Sequence, residues 1–163
     1  PLPYSEGSHP YYMLGQRIDG LTMTLPEVRL ALLDEADLPT GRFRDDARFV
    51  GGRAIGDEFI NDCFCLGPFA KEPPSAGDAA PAGLPEVSTE AHVLLSSATR
   101  TLDIWQRTGI EQYNAIQVYT PPDRMSIAIE PMTSEPDALN HHRGLIVIGP
   151  GETRTFKFGA SVR

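Results

Sequence analysis

Cysteine is nearly absent: the 163 residues hold two, Cys63 and Cys65, two positions apart. That excludes a disulfide framework, leaves stability to buried apolar surface, and points to a reducing, cytoplasmic setting. Basic charge is also scarce, with 14 Lys and Arg against 22 Asp and Glu, a net charge of −8 and a pI near 4.9. Such a field repels phosphate backbones and anionic lipid heads, which argues against nucleic acid or a membrane surface as partner. Long hydrophobic runs are missing too; the longest uncharged apolar stretch, Gly144 to Pro150, falls far short of the roughly 20 residues of a membrane-spanning helix. Neither a Gly-rich phosphate loop nor a G-x-S-x-G nucleophile turn occurs, and Gly149-Pro150-Gly151 lacks the Lys and helix that a phosphate cradle needs. The chain opens at Pro1-Leu2-Pro3-Tyr4 without Met or a signal-peptide pattern, so a start upstream of Pro1 is expected.

Turn formers, by contrast, are abundant: 15 Gly and 15 Pro punctuate the chain and disfavour long helices. Between them apolar residues alternate with period two, the pattern of short strands, and the expected class is all-β. Leu21 to Leu25 and Val28 to Leu33 read as strands that could pair, followed by a turn over Asp37 to Gly41. From Phe59 to Leu66, Phe59, Asn61, Cys63 and Cys65 share one side and Ile60, Asp62, Phe64 and Leu66 the other, ended by Gly67-Pro68. Lys71 to Pro85, rich in Pro, Ala, Gly and Ser, reads as a surface loop. Six further strands are expected at 91–95, 100–105, 115–120, 125–130, 145–148 and 153–158, with a helical turn near Ser134 to Leu139 capped by Ser134.

Three places carry chemistry. In Met125-Ser126-Ile127-Ala128-Ile129-Glu130-Pro131, one face is wholly apolar while the other ends a row of small side chains on a carboxylate, leaving space for a ligand. A strand-end glutamate pointing into water satisfies the same pattern. In Ser8-His9-Pro10-Tyr11-Tyr12, a histidine, a residue type that can serve as an acid, precedes two aromatics suited to a sugar ring, although a lone histidine is commonly structural. Asp62 lies in an apolar strand and needs a partner or ligand to offset its desolvation; a buried salt bridge serves equally well. Cys63 and Cys65 with His141-His142 make only half of a zinc pattern, and no metal is assigned.

Taken in order, Asn114 to Thr120, Ile129-Glu130-Pro131-Met132-Thr133, Pro136-Asp137-Ala138-Leu139-Asn140 and Ile148-Gly149-Pro150-Gly151-Glu152 resemble the C-terminal portion of the aldose 1-epimerases, or mutarotases. The upstream Gly7 to Tyr12 is similar to the family's histidine block and Ile60 to Phe64 to its aspartate block. The resemblance implies a β-supersandwich of the galactose mutarotase kind, with residues 1–163 forming the C-terminal part of a single domain whose N-terminal part is absent. It further implies that a free aldohexose is interconverted between α and β anomers without metal or organic cofactor. Glu130 would be the general base, His9 the general acid, Asp62 a hydrogen-bond partner of sugar hydroxyls, and Tyr119 a lining residue. Hexose 6-phosphate specificity and a noncatalytic carbohydrate-binding domain are the alternatives. A glycosidase would want a second acid near Glu130, and Glu135 and Asp137 follow prolines in a turn.

Overall fold

The computed structural model describes residues 1–66 and 89–163. The loop expected over Lys71 to Pro85 and the stop at Gly67-Pro68 lie outside them. Among the described residues thirteen strands run β1 Leu2–Tyr4, β2 Tyr11–Tyr12, β3 Thr22–Thr24, β4 Val28–Leu33, β5 Pro39–Asp46, β6 Arg53–Ala54, β7 Asn61–Cys65, β8 Thr89–Ser96, β9 Thr101–Thr108, β10 Ala115–Tyr119, β11 Ile127–Met132, β12 Ile146–Ile148 and β13 Phe158–Val162. They form an antiparallel six-stranded sheet in the order β2-β11-β10-β7-β4-β5, a five-stranded sheet β13-β9-β8-β3-β6, and a β1-β12 pair. Among the described residues helix is confined to a 3-10 turn at Ile18–Gly20 and to α1, Ala138–His141. Among the described residues no helix is long and apolar enough to cross a membrane.

Strand alternation explains why the two large sheets face each other. Ile127 and Ile129 of β11, Ile116 and Val118 of β10, Phe64 of β7 and Leu30 of β4 project from one face of the six-stranded sheet. They meet Met23, Val93, Leu95, Leu102 and Ile104 of the five-stranded sheet in one buried cluster. Every other residue of the same strands is thereby turned to the outer face, and that is where Asn61 of β7, Gln117 of β10 and Glu130 of β11 collect.

The all-β class holds, but some local expectations do not. The runs around β3 and β4 do not pair; β3 hydrogen-bonds β6 and β8 while β4 lies between β5 and β7. Pro26 and Glu27 carry the chain from one sheet to the other, so Met23 and Leu30 meet across the sandwich and not along a ladder. The turn expected over Asp37 to Gly41 is tighter and earlier: Asp34 Oδ1 accepts the N–H of Ala36 and Leu38 at 2.8 and 3.0 Å, Asp37 takes a φ of 59°, and β5 already begins at Pro39. Proline is tolerated there because β5 is an edge strand. The strand expected at 153–158 lies instead at Phe158–Val162, where it pairs with β9. Ser134 caps no helix; its hydroxyl is 2.6 Å from that of Ser5, and Asp137 holds the N-cap position.

Candidate active site

Register assembles the site on the outer face of the six-stranded sheet. Glu130 on β11 lies directly across from Gln117 on β10, and Gln117 across from Cys63 on β7. One row further along, Ala128 stands between Tyr11 of β2 and Tyr119 of β10, and Tyr119 is paired with Asn61 of β7. Of the small residues expected beside Glu130, Ala128 is fully buried between the two tyrosines, so the open part of this face lies over Gln117 and Asn61. Gln117 Nε2 donates to Asn61 Oδ1 at 2.9 Å, which orients both amides. Phe59 meets Tyr119 edge to face at 6.1 Å between ring centroids.

His9 reaches this face from the segment between β1 and β2. Its Nε2 lies 3.2 Å from Glu130 Oε1, with the imidazole side chain 55% exposed and the carboxylate 11%. One partner is thus open to solvent while the other sits at the bottom. The imidazole stacks on Tyr11 at 5.0 Å between centroids. Just upstream the backbone is tied to the end of β11: Ser8 N–H donates to Pro131 O at 3.1 Å, Thr133 N–H to Glu6 O at 2.9 Å, and Glu6 N–H to Thr133 Oγ1 at 3.0 Å. Glu6 is anchored again by its carboxylate, which accepts hydrogen bonds from the hydroxyls of Tyr113, at 2.5 Å, and Tyr4. Burial pushes the Glu130 pKa above its ordinary value, and the nearby His9 charge pulls it partly back.

Asp62 does not join this face. It pairs with Val118, whose side chain is in the core, so alternation turns it to the opposite side of β7. There Arg48 Nη2 donates to it at 2.6 Å, and the same guanidinium binds Asp46 at 2.9 Å and Glu58 at 2.7 Å. Asp62, expected to contact sugar, thus stands in an ion network, and the polar side chain that β7 presents on the same face as Glu130 is that of Asn61. Its position opposite Asp62 follows from alternation alone; Gln117 becomes visible only when the β10–β11 register is known. Cys63 and Cys65 are buried free thiols on the outer face. Among the described residues no three or more His, Cys, Asp or Glu side chains group in a way that could hold a metal ion.

The aldose 1-epimerase family model matches residues 1–161. The chain belongs to the aldose 1-epimerase family. No curated protein matches its sequence. Among solved structures it is similar to a galactose mutarotase-like protein from Clostridium acetobutylicum, with a TM-score of 0.73 at 16% identity, over 99% of this chain and 48% of that one. It is also similar to a proposed aldose 1-epimerase from Escherichia coli K12, with a TM-score of 0.67 at 16% identity, over 99% of this chain and 51% of that one. The fold is thus that of the galactose mutarotase-like proteins, and the chain spans about half the length of these two structures.

Proposed function

We propose that this epimerase-family chain acts as a mutarotase on a free hexose such as galactose or glucose. The observation that carries the reading is the 3.2 Å pairing of His9 with Glu130 on an open face floored by Gln117 and Asn61. Mutarotation needs a proton to leave the anomeric hydroxyl while another reaches the ring oxygen, and both oxygens hang on the same carbon. A sugar entering between the two side chains replaces their ion pair with contacts to those two oxygens. Glu130 then accepts the hydroxyl proton, His9 protonates the ring oxygen, and the bond from C1 to the ring oxygen opens to give an aldehyde. Rotation about C1–C2 presents the other carbonyl face, and reversal of the proton transfers closes the ring on the opposite anomer.

Asn61 and Gln117 supply donors and acceptors for sugar hydroxyls, and Tyr11 and Tyr119 stand on the same face on either side of the buried Ala128. The free, buried thiols of Cys63 and Cys65 suit a reducing, cytoplasmic setting. Polarimetry of freshly dissolved α-galactose tests the reading: Glu130→Gln and His9→Asn should each slow enzyme-dependent equilibration by about a hundredfold or more. Rates within a few-fold of the unsubstituted protein in both variants would contradict it.

A further inference from the structure

The opposite side of the sandwich carries an aromatic feature that the epimerase chemistry does not use. Trp105, the chain's single tryptophan, lies on β9 between the core residues Ile104 and Gln106 and is turned to the outer face of the five-stranded sheet. Across the ladder on β13 stands Gly159, where a Cβ would meet Cε2, Cζ2 and Nε1 of the indole at 2.9 Å. The ring therefore lies flat over the glycine, and only glycine permits it. On its other flank His92 of β8 is directly opposite Trp105. The His92 Nδ1 is 2.8 Å from Asp103 Oδ1, and this carboxylate, 3% exposed, also accepts a 2.5 Å hydrogen bond from Arg163. A buried acid thus fixes an exposed imidazole with Nε2 facing outward, 3.8 Å from Glu90, which is itself paired in register with Arg107.

We propose that this face is a second saccharide-binding site, with Trp105 as the platform and His92, Glu90 and Arg107 as its polar rim. A pyranose has one face of C–H groups and a ring of radiating hydroxyls; the electron-rich indole face complements the first and the rim the second. A protein partner would need roughly 800 Å² of complementary surface, whereas the apolar part here is the half-buried indole with the half-buried Leu94 in the next row, amid hydrogen-bonding groups. The site is separated from Glu130 by the whole core, so it stands or falls independently of the epimerase reading.

Because Trp105 is the sole tryptophan, its fluorescence reports this face alone. The full chain is titrated with methyl β-galactopyranoside and methyl β-glucopyranoside, whose locked anomeric centres undergo no ring opening, and with sorbitol, which has no ring. The expected result is a saturable shift in the millimolar range with at least one glycoside, none with sorbitol, and the same shift in Glu130→Gln. His92→Ala or Arg107→Ala should weaken it by about fivefold, the size of one lost hydrogen bond. No saturable shift with either glycoside, an equal response to sorbitol, or affinity unchanged in both rim variants would overturn the proposal.

Discussion

Burial raises the Glu130 pKa while His9 lowers it, so the ionisation of this carboxylate reports directly on its partner. In the proposed role of base, Glu130 would act only above its folded pKa, and the acid limb of the rate profile should have its midpoint above the ordinary value of 4.5. Removing the opposing charge in His9→Asn should move the limb of the residual activity to still higher pH; a limb that stays put would contradict the coupling. The effect on stability has the opposite sense to that of a salt-bridged acid. A carboxyl whose folded pKa exceeds its unfolded one favours folding while protonated, and that contribution disappears as pH rises through the folded pKa. Glu130→Gln cannot ionise, so its thermal midpoint relative to the unsubstituted protein should be higher at pH 7 than at pH 4. Such a result would match a carboxylate kept buried at a cost in stability, as the proposed role of Glu130 requires.

Along β7, alternation separates two neighbouring polar residues into two roles. Asn61→Ala should raise KM or lower kcat/KM by about tenfold with little effect on thermal stability, through loss of a hydrogen bond to sugar and to Gln117. Asp62→Ala should leave KM unchanged while destabilising the fold by about 1–3 kcal/mol, because Arg48 loses one of its three carboxylates. Reversed phenotypes would mean that β7 is out of register. The alternation itself was legible in the sequence from Phe59 to Leu66, as were the strands around Ala128 and Val118, because each run keeps period two between turn residues. What the sequence could not convey was which strands share a sheet. Leu21 to Leu25 and Val28 to Leu33 look like a hairpin because they are adjacent and similarly patterned, yet their apolar faces oppose each other across the core. Asp62 was misplaced for a related reason: a family-like aspartate block does not say which of two adjacent polar residues faces the cleft. His9 and Glu130, in contrast, were readable as a pair only through the resemblance, since more than a hundred residues separate them in sequence.

For the molecule as a whole, one buried cluster joins the two large sheets and makes them a single cooperative unit. Trp105 fluorescence, which reports the five-stranded sheet, and far-UV circular dichroism, which reports both, should therefore give coincident urea transitions. Phe64, fully buried at the centre of the six-stranded sheet, is the sharpest test of that core: Phe64→Ala should cost about 3–5 kcal/mol and shift both transitions together. The candidate site depends on this unit, because Glu130, Gln117 and Asn61 sit on three adjacent strands whose other faces are the core. His9 is tied in by the backbone bonds to the end of β11 and by the Glu6 anchor, so the proposed acid and base ride on the same sheet.

The most direct test of the central claim is anomer exchange at equilibrium, followed by proton NMR saturation transfer between the α and β anomeric signals of galactose and glucose, with Glu130→Gln measured beside the unsubstituted protein. Saturation that passes between the anomers in proportion to protein concentration, and vanishes in Glu130→Gln, is the result expected of an epimerase that uses Glu130 as its base. Sugar signals that broaden on binding without exchange, or exchange that survives in Glu130→Gln, would contradict it.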